Sequence, residues 1–427
     1  MIASIRQKFN AAFTEEVYQN YLASLNSPFP GALDFSVAET PIFIDKDFTK
    51  KMLATGDYVN QVIQSDQFNS ITEPSLKNIP HFPNETPFPK CIVMDFAIAI
   101  NEQNELVPAL IELQGFPSLF AYEILQDECI RKTYTIAEGY SPFLNDYTKE
   151  KYIAHLETIL KGNSILDNSK NSITDFTKHS QIDTTKHSIT DSVKHTVLLE
   201  ILPHQQKTRI DFYLTEKYFN IPTVCITELF IEERHLYYER AGKKIKIDRI
   251  YNRIVLDELK HQTKEIQEKG ALLQNNLEVE WVTHPHHFFR ISKYLLPFLK
   301  HAYIPLTQFV DQLTEIPTAL DKYILKPLFS FAGQGVIIDI SPADIENIKD
   351  PSGWILQEKV NYANCIETPT GPAKAELRLF YFWNEAKQQY IATMNLARLS
   401  KGKMIGVNYN KTATWVGGSL AYFETTK

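Results

Sequence analysis

The sequence predicts a mixed fold, α/β in the middle of the chain and α+β toward its end. Three patterns carry this. From His195 the chain alternates: HTVLLEIL reads as a buried strand, TRIDFYLTEKYF as a helix, TVCITELFIE as a strand, and GKKIKIDRIYNRIV carries another. That β-α-β rhythm predicts a Rossmann-like α/β unit over 197–285, with LEVEW as its last strand. Past 286 a single helical stretch, FFRISKYLLPFLKHA, is followed by several strands. Near the N-terminus two apolar runs, Cys91–Ile100 and Val107–Gln114, flank a polar NEQNE turn and predict a hairpin.

The rest of the chain fills in around these. Its opening residues read as an amphipathic helix without the apolar core of a signal peptide. Pro74 to Pro89 reads as an extended linker feeding the hairpin, and 121–163 as helical. Residues 172–196 repeat a T/V-K-H-S/T unit at Lys178, Lys186 and Lys194, with His179, His187 and His195 in step. Its lack of an apolar face predicts a surface loop dispensable for folding rather than a stacking repeat or a metal array. The predicted organisation is an N-terminal region 1–165, which includes the hairpin segment 91–120, then a repeat loop 166–196, the α/β unit 197–285, and strand-rich subdomains 286–427.

Composition excludes several classes. The chain has 427 residues, 44% hydrophobic and 22% charged, enough for sizeable cores and unlike a disordered protein. Its longest apolar runs fall far short of the ~20 residues that span a bilayer. A net charge of −7 argues against non-specific nucleic-acid or anionic-membrane binding, while leaving room for a local basic pocket. Cys91, Cys129, Cys225 and Cys365 lie far apart with no CxxC pair, so a disulfide framework or zinc finger is not expected and a reducing cytosol fits. His284-Pro285-His286-His287 has no cysteine or carboxylate at ligand spacing nearby and reads as a loop rather than a zinc site.

Three constellations carry chemistry. In YILKPLFSFAGQGVII an apolar strand ends at Lys326-Pro327, and the loop from Ser330 to Gly335 leads to a second strand. Gly333 and Gly335 let the backbone approach a phosphate, and Lys326 supplies a charge to the same oxygens. The GK[ST] ending of a P-loop is missing, and an ordinary glycine hairpin is the plain alternative. In the N-terminal hairpin, a turn centred between Gln103 and Asn104 sets Asp95 opposite Glu112, with Gln114 on the same face. Phe96, Ile98, Ile100, Val107, Ile111 and Leu113 then face the core. Facing carboxylates repel unless a cation sits between them, and oxygen ligands suit Mg²⁺; two solvated charges are the alternative. Near the C-terminus, Arg378 and Arg398 sit on apolar strands and call for anionic partners, either a ligand or structural ion pairs.

Taken together, these pieces resemble the ATP-grasp superfamily, over about 286–420 for the nucleotide-binding part. The resemblance implies that Lys293 and Lys326 contact ATP phosphates beneath a lid at 330–335, and that the strand Gln357-Glu358-Lys359-Val360 pairs with adenine. It further implies that Glu376 holds the ribose, and that Arg398 and Asn408 act at the phosphates and transition state. The chain stops before the metal-binding strands expected after that arginine, whereas Asp95…Glu112-Leu113-Gln114 carries their pattern early in the chain. That order resembles the circularly permuted ATP-grasp group of glutathionylspermidine synthetases and related peptide ligases, whose middle unit ends in a motif that reads here IDRIYNR, Asp248 to Arg253. Two departures stand out: Gln114 replaces the usual asparagine, and Val93 an arginine. The resemblance implies an ATP- and Mg²⁺-dependent ligase that joins a carboxylate to an amine through an acyl phosphate. The alternatives are an ATP-binding protein of that fold without turnover, and a non-catalytic assembly module.

Overall fold

The computed structural model describes residues 2–162, 194–330, 333–403, 405, 410 and 412–425. Asn101 organises the tip of the N-terminal hairpin: its Oδ1 accepts from the N–H groups of Gln103 and Glu105, while Asn104 takes a left-handed φ of 61°. Strands Cys91–Ile100 and Leu106–Gln114 run antiparallel from this turn. The first rungs are offset by one from the predicted centre, with Ile100 facing Leu106. A bulge at Ile111 then restores the register, so that Asp95 does face Glu112. The bulge also corrects the face assignment. Val107 and Ile111, expected in the main core, turn to the opposite face and pack there with Ala97, Ala99 and Ala109.

The hairpin completes a five-stranded sheet whose other members come from the far end of the chain. The strand order is Gly417–Ser419, Gln389–Ser400, Lys374–Asn384, Cys91–Ile100, Leu106–Gln114, antiparallel throughout. Alternation gives each strand one apolar and one functional face. On the apolar side Leu377 lies beside Phe96 and Leu379 beside Met94, all fully buried. Each such side chain contributes about 1.5–3 kcal/mol of burial. The opposite face carries Glu376, Arg378, Asp95 and Glu112.

A four-stranded parallel sheet occupies the middle of the chain, in the order Glu280–Trp281, Arg249–Asn252, Thr196–Glu200, Thr223–Cys225. Helix Arg209–Phe219 connects its first two strands in sequence. These elements match the expected β-α-β rhythm. One expected strand is broken: after Cys225 the chain turns, Glu228 accepts from the Cys225 N–H, and a meander Phe230–Glu232, His235–Arg240, Lys243–Ile247 intervenes. Of the eight-residue repeat, Lys178, His179, Lys186 and His187 lie outside the described residues. Lys194 and His195 are described, and the His195 N–H donates to Asp248 just before the first parallel strand.

A three-stranded antiparallel sheet follows, in the order Thr307–Phe309, Trp354–Glu358, Tyr323–Pro327. Two expected elements in this part of the chain shrink. The single helix FFRISKYLLPFLKHA is instead a short turn, His287–Arg290, and a 3-10 segment, Lys293–Phe298. Ser292 caps the second piece by accepting from the Tyr294 N–H, and Pro297 has no N–H to extend it. The strand expected after the glycine loop reduces to one bridge, Leu325 with Ile337. The helical stretch 121–163 likewise splits, into Tyr122–Thr133 and Lys149–Lys161, with Gly139 at a φ of 80° between them. No helix among the described residues is long and apolar enough to cross a membrane.

Gly115 ends the hairpin where it meets the segment leading to Lys293. Its N–H donates to Ile291 at 2.7 Å, and a Cβ there would lie 2.2 Å from the His287 carbonyl oxygen. Backbone cannot yield as a side-chain tip can. Gly115→Ala is expected to cost about 1–3 kcal/mol by overpacking, read as a lowered urea midpoint; an unchanged midpoint would mean that this crossing is loose.

Candidate functional site

Four neighbouring strands of the five-stranded sheet bring a row of charges together. Arg378 lies directly across from Asp95, which lies across from Glu112; one rung along, Glu376 lies across from Arg398. Asp95 is fully buried. Arg378 grips it with a two-pronged contact, Nε to Oδ1 at 2.7 Å and Nη2 to Oδ2 at 2.6 Å. Arg398 Nη2 reaches the same Oδ2 at 3.0 Å and Glu376 Oε2 at 2.8 Å. Burial would raise the Asp95 carboxyl, but the two guanidiniums overcome it and hold it below the usual carboxylate range. For Glu376 burial wins, and its carboxyl is pushed up in spite of Arg398. Tyr362 donates to the other Glu376 oxygen at 2.5 Å.

Two lysines tie the small sheet to this row. Lys293 is buried at the start of its 3-10 segment, and its Nζ donates to Glu112 Oε1 at 3.0 Å and to the Ser330 carbonyl at 2.7 Å. Lys326 is buried near the end of Tyr323–Pro327 and donates to the carbonyl of Ile111, the bulge residue next to Glu112, at 3.2 Å. Burial pushes its ammonium down to about 8, with Lys293 adding to the effect and Glu112 opposing it. The glycine loop follows directly. Gly333 and Gly335 adopt left-handed φ of 75° and 74°, which favour glycine. Phe331 and Ala332 of that loop, like Asn408, lie outside the described residues.

The segment expected to pair with adenine begins inside the small sheet. Gln357 is the middle of the three-stranded sheet, paired with Thr307 on one side and Ile324 on the other, and its buried amide donates to Thr307. The Glu358 N–H donates to Leu306 and the Lys359 N–H to Lys322. Two of these backbones are therefore committed to the sheet, and the first N–H without a backbone partner among the described residues is that of Val360. Val360 and Tyr362 pack on the small apolar shelf of Ala97, Ala99, Ala109 and Ile111. Segment 361–363 is fixed there, since the Ile100 N–H donates to Asn361 and the Ala363 N–H to Ile98. Glu376, expected at the ribose, has both oxygens engaged by Arg398 and Tyr362.

The donor chemistry accommodates a hard dication in part. Glu112 is 25% exposed and, among the described residues, has one oxygen free of partners. Gln114 is half-buried two residues on. Both offer oxygen, as Mg²⁺ requires. Sequence reasoning missed the contacts that frame this site. Arg378 also donates to Ser118 Oγ at 3.2 Å, and Arg253 of the parallel sheet donates to the Pro117 and Ser118 carbonyls. The apolar strand around Arg378 signalled an anionic partner without saying which.

The histidine cluster, for which the sequence showed no carboxylate nearby, gathers Glu85 from the proline-rich linker. Glu85, His284 and His286 bring ligand atoms within 4.8 Å of one another. His284 meets the Pro83 carbonyl, His286 meets Glu85 and the Pro80 carbonyl, and the neighbouring His287 meets the Thr86 carbonyl through Nε2. Arg290 adds a contact to Glu85 at 2.7 Å. The effect is to clip the proline-rich linker that delivers the strand bearing Asp95.

No protein-family model matches the sequence, and no curated protein matches it. Among solved structures, the chain is similar to a glutathione synthetase-like effector from Globodera pallida in its apo form. The TM-score is 0.53 at 7% identity, over 96% of this chain and 97% of that one. The fold is glutathione synthetase-like. That likeness is one of fold alone, a mixed α/β architecture with several sheets.

The clip generates an acid-stability prediction. Burial pushes His284 down to about 3 and His287 to about 4, below the ~6.5 of an unfolded chain. Between those values the unfolded chain binds protons that the fold refuses, so stability is fully present above pH 6.5 and lost as pH falls toward 4. The slope is about 1.4 kcal/mol per pH unit for each histidine. Urea titrations between pH 7 and 4.5 should show it, and His287→Gln should flatten it. A wild-type midpoint independent of pH across that range would remove these histidines from the argument.

Proposed function

We propose that the protein is an ATP- and Mg²⁺-dependent carboxylate–amine ligase built on an ATP-grasp core in circularly permuted order. The observation that carries this reading is the meeting of Lys293, Lys326, Arg378 and Arg398 with Asp95, Glu112 and Glu376. Residues from the first quarter and the last third of the chain build one charged site, as a permuted order requires. The glutathione synthetase-like fold supports it.

In this reading the apolar shelf at Ala97, Ala99 and Ala109 receives the base, with the Val360 N–H open to it. Lys326 and Lys293 neutralise phosphate oxygens, and the glycine loop closes over them. Glu112 and Gln114 hold Mg²⁺, which supplies charge neutralisation when bound. Arg398 is 31% exposed and has a buried Nε with no partner among the described residues. It faces the charge that shifts when a substrate carboxylate takes the γ-phosphoryl group and an amine then displaces phosphate. In this reading the fixed positions of Lys293, Lys326, Glu112 and Arg398 do the catalytic work through position and electrostatics.

Calorimetry with Mg-ADP tests the binding half. Lys326→Ala should weaken it by about 1–3 kcal/mol, the worth of a charge-assisted hydrogen bond; equal affinities would make the loop structural. The Lys326 ammonium also predicts a pH effect. Its charge is lost as pH rises through about 8, and a bound anion raises that value. Affinity should therefore fall above pH 8 by up to about tenfold per unit, a slope that Lys326→Arg abolishes. Turnover is tested by hydroxylamine trapping of acyl phosphates across a panel of amino acids and short peptides. Glu112→Gln should lower that rate far more than ADP affinity. Mg-ADP binding with no hydroxamate from any carboxylate would favour a nucleotide-binding protein without turnover, and no Mg-ADP binding at all would end the reading.

A further inference from the structure

We infer that Asp95 is an arginine anchor and not a ligand of the phosphate-bound metal. An ionised carboxylate offers about four lone-pair directions. At Asp95 three are filled, two by the Arg378 fork and one by Arg398. The side chain is 0% exposed. Mg²⁺ needs near-octahedral ligands at about 2.1 Å and keeps several waters, and a side chain with no solvent access offers none. A dication on the last lone pair would also stand beside two guanidiniums where the dielectric screens little.

Glu112 is the contrast across the same rung. It is 25% exposed, it meets one lysine through one oxygen, and its other oxygen has no partner among the described residues. The equal sharing of one ion that the sequence suggests is thereby divided. Glu112 and Gln114 keep the hard-ligand role, and Asp95 fixes the two arginines. The fork sets the plane of Arg378, which also holds Ser118, and Asp95 together with Glu376 fixes Nη2 of Arg398. Asp95 thus acts on the reaction through Arg398, as a positioning residue.

The identity of the excluded ion rests on the nucleotide reading above; the anchoring does not. The full-length chain is titrated with Mn²⁺ in the presence of ADP, with free Mn²⁺ followed by electron paramagnetic resonance. Glu112→Gln should weaken Mn²⁺ binding at least tenfold, whereas Asp95→Asn and Arg378→Gln should stay within threefold of wild type. A tenfold loss in folded Asp95→Asn, or a tenfold gain in Arg378→Gln as the carboxylate is freed, would overturn the inference. In ¹⁵N-labelled protein the Arg378 Nε–H should give a protected downfield resonance, lost in Arg378→Lys and unmoved by Mg²⁺ with ADP. Its loss on adding the metal would show Asp95 leaving the arginines. If wild type binds no Mn-ADP, the ligase reading fails by itself. The anchor is then judged by ligand-free melting of Asp95→Asn, Arg378→Gln and the double variant, or by the resonance alone should Asp95→Asn not fold. Coupled losses uphold it, and additive losses refute it.

Discussion

A carboxylate with no solvent access is tolerable only if its charge is met, and Asp95 is met by two guanidiniums. Removing one partner from a buried ion pair typically costs about 3–5 kcal/mol, because the other charge is then stranded. The arrangement therefore locks three strands together: Cys91–Ile100 through Asp95, Lys374–Asn384 through Arg378 and Glu376, and Gln389–Ser400 through Arg398. Leucines and phenylalanines on the reverse face could hold the same strands in several registers. Only one register puts Arg378 opposite Asp95 and Arg398 opposite Glu376. The ionic row thus specifies register as well as charge.

That constraint reaches outward through lysines and loops. Lys293 and Lys326 are buried cations, and each finds its acceptors across the gap between the two sheets, at Glu112, Ser330 and Ile111. The small sheet is held at the edge of the large one by contacts that an incoming anion would compete for. The linker clip works from the other side. Neutral imidazoles, the Glu85–Arg290 pair and the Trp281 indole, which donates to Pro83, fix a proline-rich segment that has few backbone donors of its own. Arg253 and Asp211 join the parallel unit to the turn after the hairpin, the latter by accepting from the Ala121 and Tyr122 N–H groups at 2.9 Å each. Distant segments converge because each meets an unsatisfied polar group of another.

The cleft that results is divided by chemistry. Ala97, Ala99 and Ala109 leave a shallow apolar floor, and the charged row begins one residue pair away. Val360 and Tyr362 pack on the short side chains of that floor, beside the long ionic ones. The fold shared with a glutathione synthetase-like effector supplies the scaffold, and a fold by itself does not fix a function.

The sequence by itself determined the parts whose signal is local. Alternating apolar runs defined the hairpin and the parallel strands, because period-2 burial leaves its mark in the residues themselves. The Asp95–Glu112 pairing was readable because a turn and its two strands are contiguous. Lys326 and the two glycines were readable because positive φ restricts residue choice. What only the tertiary structure decided is everything that depends on a non-local partner. Nothing near Arg378 names Asp95, which lies 283 residues away. The Ile111 bulge, invisible in a pattern of apolar residues, chose which side chains face the cleft. The strands flanking Gln357 and the partners of Glu376 likewise come from segments that its own neighbourhood in sequence does not name. Propensity and periodicity are properties of a segment, whereas the satisfaction of a buried charge is a property of the whole fold.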